Sequence, residues 1–427
     1  MTRTLYLHVG SPKSGTTYLQ RILDGNRDRL AEAGVLVVGK QHVDRVQAAL
    51  QVREDPRWES LPPGRRDMWG RLVSQIREWQ GESAVLSYEL FSAASAAQAQ
   101  RALADLDGIE VHVVISSRDL ARSVPSAWQE RLKFGLTKPL ESWTPPANKG
   151  EWGWRTTDPA AVAERWGATL PAERVHVVTV PRTRSDETAL WDRFAEACGL
   201  GGLPLDLSTP RVNESLGAVE AELLRRVNGH LRPPLKGSRE LAVWLRDTLA
   251  HGVLAQQGNE PLGMTDEQYA EAASRANAAI AAVSAAGYTV HGDLEDLRAT
   301  RPAGRLPGEV SDAEVLDAAL GTIVDLLLLV RERSRQQPRT AVPAAAPTPR
   351  GLARRVVQRA AAPYVKRRDQ RLQDRMAALE AEIAHERALH QRVAALQDVV
   401  AELLLPTDAR DESITGRALR DYRKGAL

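Results

Sequence analysis

The chain of 427 residues is short of several things that would have directed its reading. It has a single cysteine, Cys198, so no internal disulfide can form and no oxidising compartment is implied. Cys198 follows the apolar helical pattern Leu190, Phe194, Ala197, which favours a buried structural thiol. There is no long hydrophobic run. Ile323 to Val330 is the greasiest stretch; it contains Asp325 and falls far short of the roughly 20 residues that cross a bilayer. Residues 1–10 lack the charged-then-apolar pattern of a secretory signal. The formal net charge is only +2, so bulk charge points to no nucleic-acid partner. There is no long-period repeat, and no His/Cys/Asp cluster has metal-ligand spacing. The expectation is a soluble, cytoplasmic protein.

What is present is ordinary globular composition, 43% hydrophobic and 26% charged, in a chain long enough for two or three folded units. Short β-branched runs at Thr4–Val9, Val35–Val38, Ala84–Ser87, Val111–Ser116 and Val175–Val180 alternate with helical segments, the first being Tyr18–Ala33. That alternation predicts an α/β fold, a three-layer parallel sheet flanked by helices. After Pro181 the pattern is helical: Ala189–Ala197, Val219–Leu231, Glu240–Ala250 and Asp266–Ala286. These helices pack on the sheet domain or form a subdomain of their own. Ser311 and Glu314 form a capping box that opens a further helix ending near Arg335.

The expected boundaries are a sheet domain over 1–300, a helix over 301–335 and an Ala/Pro linker over 336–350. A basic segment follows over 351–371, then a coiled coil over 372–405 and a tail over 406–427. Around the basic segment, nine Lys and Arg from Arg350 to Arg375 oppose Asp369 and Asp374. It is either a solvated linker face or a peripheral contact with an acidic partner or the inner membrane face. Leu372, Met376, Leu379 and Ile383, then Leu389, Val393, Leu396, Val400 and Leu403, recur at heptad spacing and suggest a homodimer or a partner helix.

The most informative segment is Leu7-His8-Val9-Gly10-Ser11-Pro12-Lys13-Ser14-Gly15-Thr16-Thr17. A strand enters a glycine-bracketed loop and leaves as a helix, so loop amides and the helix N-terminus converge on an anion site. Gly10 and Gly15 keep the spacing of the nucleotide triphosphatase loop, but Thr16 stands where that loop has lysine, and Lys13 lies inside the loop. The shift argues for a nucleotide with a short phosphate arm over ATP or GTP hydrolysis.

Pro12 to Thr17 resembles the 5′-phosphosulfate loop of sulfotransferases that use 3′-phosphoadenosine 5′-phosphosulfate (PAPS). Arg118, just after the Val111–Ser116 strand, and Ser126, eight positions later, match that family's 3′-phosphate motif. Arg122 or Ser123 could take the role in a shifted register, and Arg118 could instead be an ordinary surface arginine. Arg211, in Arg211-Val-Asn-Glu-Ser-Leu216, resembles a further phosphate contact of bacterial members; the alternative is a helix cap from Asn213 or Ser215. The family's R-K-G-x-x-G-D-W-K segment is absent, which argues for the carbohydrate-like or bacterial type.

The resemblance implies PAPS as co-substrate, no catalytic metal, and Lys13, Ser14, Gly15, Thr16, Thr17, Arg118, Ser126 and Arg211 as its binding residues. Lys13 would also neutralise the leaving oxygen. The acceptor, a hydroxyl or amine of a carbohydrate, glycolipid or other small molecule, needs a base. Glu89, past the Ala84–Ser87 strand, comes first, with helix-dipole stabilisation as its other reading; His42, past the Val35–Val38 strand, comes second, against an ordinary surface histidine. His8, inside the first strand, reads as a core histidine and His291 as part of a distant turn. Trp143, Trp152 and Trp154 either stack on sugar or cap a core, and the Pro/Gly-rich segment around Asn148 suggests a lid. The rival functions are a P-loop phosphotransferase and a non-catalytic nucleotide-binding scaffold.

Overall fold

The computed structural model describes residues 2–336 apart from 148–149, 183–187, 210–214, 232–234, 236 and 259. Asn148, Arg211, the linker, the basic segment, the coiled coil and the tail lie outside the described residues. The chain divides into two compact units, Met1–Arg331 and Glu332–Leu427.

The first unit holds six strands: β1 Thr4–His8, β2 Val35–Val37, β3 Ser83–Ser87, β4 Glu110–Ser117, β5 Val175–Thr179 and β6 Thr289–His291. They pair in the order β2-β3-β1-β4-β5-β6, and every pair is parallel. The first five follow the expected β-branched runs. β6 is an addition: three residues after Tyr288 form an edge strand, so His291 lies in the sheet and not in a turn. Unlike the equally short but wholly apolar Val35–Val37, Thr289–His291 holds a single aliphatic residue, so no apolar run marks it.

Helices of six residues or more are α1 Thr16–Gly25, α2 Arg27–Glu32, α3 His42–Val52, α4 Met68–Glu78, α5 Ala96–Ala104, α6 Leu120–Leu132, α7 Pro159–Gly167, α8 Ala189–Ala197, α9 Ala218–Leu231, α10 Asp266–Ala285 and α11 Asp312–Gln336, with a π-helical segment at Leu241–Leu254 between α9 and α10. The single helix expected over Tyr18–Ala33 is two, broken at Asn26. The buried Asn26 side chain donates to the carbonyls of Ile22 and Asp206 and accepts from the Asp206 amide at 2.8 Å. A side chain committed to that bridge competes with helical continuation.

Three apolar clusters organise the unit. Leu5, Leu7, Leu86, Val113 and Ile115 face α4, α5 and α7 on one side of the sheet. Val35, Val85, Val114 and Val178 face α1 and α8 on the other, where Cys198 is buried. The third cluster joins α6, α9, the π-helical segment, α10 and the start of α11. The late helices therefore have a core of their own, built onto α6. Ser311 and Glu314 form the predicted capping box of α11. Among the described residues no helix is long and apolar enough to cross a membrane.

Candidate anion-binding site at the strand ends

β1 sits between β3 and β4, so the chain leaving it emerges between their carboxyl ends, where connections diverge and α/β proteins bind ligands. Gly10 (φ 84°), Lys13 (φ 64°) and Gly15 (φ 82°) all have left-handed backbone. Lys13 adopts this conformation with a side chain, which places the residue itself in the tight loop. Gly10 is also a close-approach position: a Cβ there would lie 2.5 Å from Cβ of Glu89. Gly15 ends the loop and caps α1, whose first amides have no preceding turn to receive them.

The loop is fastened to the sheet from below. The Ser11 amide donates to the Ser116 carbonyl at 2.6 Å. The Ser14 hydroxyl donates to the Ser11 carbonyl and lies 2.6 Å from the Ser116 hydroxyl. With its one proton used, Ser14 must accept from Ser116, which in turn accepts from His8 Nε2 at 2.9 Å. His8 Nδ1 then accepts from the Ser87 hydroxyl at 2.7 Å. A single proton order runs Ser87→His8→Ser116→Ser14→Ser11 across β3, β1 and β4. His8 is thus a satisfied core histidine, and burial lowers its pKa to about 3. The Ser14 hydroxyl is thus committed to the contacts that fasten the loop.

The loop's cation has a partner that sequence reading missed. Lys13 Nζ lies 3.0 Å from Glu130 Oε1 on α6, and Lys133 Nζ reaches the same oxygen at 3.0 Å. Lys133 is fully buried and the Glu130 side chain nearly so. Burial opposes ionisation of Glu130, but the two ammonium groups outweigh it and hold the carboxyl at about 2. The available signal was the Glu130/Lys133 pair at i, i+3 on the helix that follows Arg118. Arg118 donates to the Lys13 carbonyl at 3.1 Å, which ties it to the loop. Ser126, higher on the same helix, turns its hydroxyl back to the Arg122 carbonyl.

Thr16 is buried at the start of α1 and Thr17 exposed beside it. Glu89 opens a short 3-10 turn after β3; its backbone presses on Gly10 and its carboxylate accepts from Gln20 at 2.9 Å. His42 is the first residue of α3, and its ring meets Tyr88 edge-on at 5.5 Å. Burial and Arg45 hold its pKa below the usual imidazole value, against an opposing pull from Glu89. Lys13, Arg118, Glu89 and His42 thus all sit on or next to loops at the carboxyl edge of the sheet.

The tryptophans resolve to the core alternative. Trp143 and Trp154 are buried in the third cluster and Trp152 packs against it half-buried. Arg275 stacks over Trp154 at 4.9 Å. Glu151, just before Trp152 in sequence, is held by Arg53 and Arg57. Among the described residues no group of three or more His, Cys, Asp or Glu is placed to hold a metal ion.

Residues 372–426 match a domain of unknown function, DUF6752. No curated protein matches the chain. A similar solved structure is the sulfotransferase domain from the Synechococcus PCC 7002 olefin synthase, with 12% identity over 64% of this chain and 94% of that one and a TM-score of 0.26.

Proposed function

We propose that the chain is a sulfotransferase that moves the sulfuryl group of PAPS to a hydroxyl or amine of a carbohydrate, glycolipid or other small acceptor. The observation that carries this reading is the position of its cation: Lys13 stands inside a left-handed loop before the helix, with Thr16 where a triphosphatase would need lysine. The residues fit the co-substrate's anionic groups. Gly10 and Gly15 give the backbone its cradle, α1 contributes its N-terminal amides, and Lys13 and Arg118 supply positive charge from two different elements.

PAPS supplies an activated sulfuryl group on a bisphosphorylated adenosine. In this reading the α1 amides and Thr16 hold the 5′-phosphate, while Arg118, with Ser126 and Arg211, takes the 3′-phosphate. Lys13 offsets the negative charge that gathers on the departing oxygen. Glu89 accepts the acceptor's proton, its carboxylate oriented by Gln20. His42 is the second base candidate, since an imidazole held neutral can take up a proton at neutral pH.

The test is calorimetric titration with 3′,5′-adenosine bisphosphate and with ATP, followed by incubation with radiolabelled PAPS and an extract of small-molecule acceptors. Preference for the bisphosphate and label transfer are expected, with Lys13→Ala lowering transfer by about 100-fold or more. Preference for ATP with metal-dependent turnover would make the chain a phosphotransferase. Tight bisphosphate binding without transfer to any acceptor would make it a scaffold.

A further inference from the structure

Ten large apolar side chains are exposed among the described residues, and seven of them belong to α11: Leu316, Leu320, Ile323, Val324, Leu327, Leu328 and Val330, at 39–55% exposure. The other face of this helix is already used. Val315 and Thr322 are buried, Thr322 donates to Gln257, and Gln257 donates to Asp325. Arg305 grips Glu314. These contacts fix the rotation of the helix about its axis. With 3.6 residues per turn, Leu320, Ile323, Val324 and Leu327 then share a sector of about 100° that points away from the packed face. Leu316, Leu320, Ile323, Leu327 and Val330 recur at steps of four, three, four and three, the spacing of a helix–helix seam. A continuous apolar stripe on the exposed face of a helix marks a surface that another element covers.

Charge selects the cover. Exposed Asp317 and Arg331 flank the stripe, each seven residues from Val324. We infer that α11 is a dimerisation helix, and that its exposed stripe packs antiparallel against the same stripe of a second copy of this chain, about a two-fold axis at Val324. In that arrangement Asp317 of each copy meets Arg331 of the other, Leu320 faces Leu328, and Leu327 falls over exposed Gly321. Parallel pairing would set Asp317 against Asp317 and Arg331 against Arg331, which is repulsive. A two-fold contact must be self-complementary, and this one is. The inference stands apart from the proposed chemistry and needs no ligand.

Cysteine crosslinking of the full chain tests it, because Cys198 is buried and leaves the background low. Val324→Cys should form an intermolecular disulfide at least tenfold faster than Leu316→Cys, whose two copies would lie about 24 Å apart along the antiparallel pair. Asp317→Arg in the Val324→Cys background should slow the crosslink at least tenfold, and adding Arg331→Asp should restore it. Sedimentation at micromolar concentration should give a dimer. Equal crosslinking at 316 and 324 would mean parallel pairing and would overturn the inference. A monomer at that concentration would overturn it too.

Discussion

Lys13 Nζ and Glu130 Oε1 stand 3.0 Å apart, and the carboxylate that holds the loop's cation is itself held by a fully buried lysine, Lys133. Two ammonium groups thus share one carboxylate. Glu130 stays ionised because both neighbours are positive, and Lys133 tolerates burial because Glu130 is there. Lys13 is the more accessible of the two and the one an incoming anion can draw away.

Glu130→Gln should therefore destabilise the protein by about 3–5 kcal/mol, because Lys133 loses the carboxylate that compensates its buried charge. Adding Lys133→Met should recover most of that loss. Denaturant midpoints for the two single variants and the double variant give the coupling directly. Equal destabilisation in the single and double variants would show that Lys133 does not depend on Glu130.

Gly10→Ala combines two penalties. The new Cβ would lie 2.5 Å from Glu89 Cβ and 2.6 Å from Glu89 Cα, and a φ of 84° disfavours any side chain. The expected cost is about 1–3 kcal/mol for the backbone conformation alone, plus displacement of Glu89. Bisphosphate affinity should fall as the loop shifts, measured by calorimetry at a temperature where the variant is still folded. A variant with native affinity would mean that Gly10 does not shape the anion position.

Trp154→Ala should act on stability before it acts on any acceptor. Trp154 is 3% exposed, sits in the third apolar cluster and lies under Arg275. Truncating a buried tryptophan costs about 3–5 kcal/mol. Thermal unfolding of the variant should show that loss. An unchanged melting temperature with weaker acceptor binding would return the residue to the acceptor site.

Five of the six strands were legible because each is a mostly apolar run set between helical segments, and Ala189–Ala197 was legible from its apolar spacing. The loop was legible because two glycines and a lysine at fixed spacing have few other uses. Asn26 and β6 were not: a helix break made by a side chain reaching Asp206, and a strand with one aliphatic residue, depend on partners distant in sequence. Glu130 escaped for the same reason. The Glu130/Lys133 pair marks a carboxylate at the end of α6, but nothing local says that it will also meet a lysine from a loop 117 residues earlier. The three tryptophans left sugar stacking and core packing equally open, since a sequence records the ring and not its exposure.

Acid should weaken the fold in two stages. Across the sheet, His112 Nδ1 lies 2.8 Å from His176 Nε2, and His176 Nδ1 lies 3.0 Å from His291 Nε2. Glu110 and Glu196 close the two ends of this ladder. Burial, then the neighbouring imidazoles, push His176 down to about 4, and burial pushes His8 down to about 3. Unfolded, both rings titrate near 6.5. Between pH 6.5 and 4 the unfolded chain binds protons that the native rings refuse, so stability is full above that window and falls as the pH drops through it. At about 1.4 kcal/mol per unit, the two histidines together cost up to about 6 kcal/mol by pH 4, less to the extent that solvent reaches His176. Glu130 adds a second stage below its ordinary value of 4.5, where the unfolded chain takes up a proton while the native carboxylate stays ionised to about 2. Chemical denaturation at half-unit steps from pH 7 to 4 should show the first slope, and His176→Gln should flatten it by about half. A wild-type profile level over that range would mean that the two rings are not held neutral.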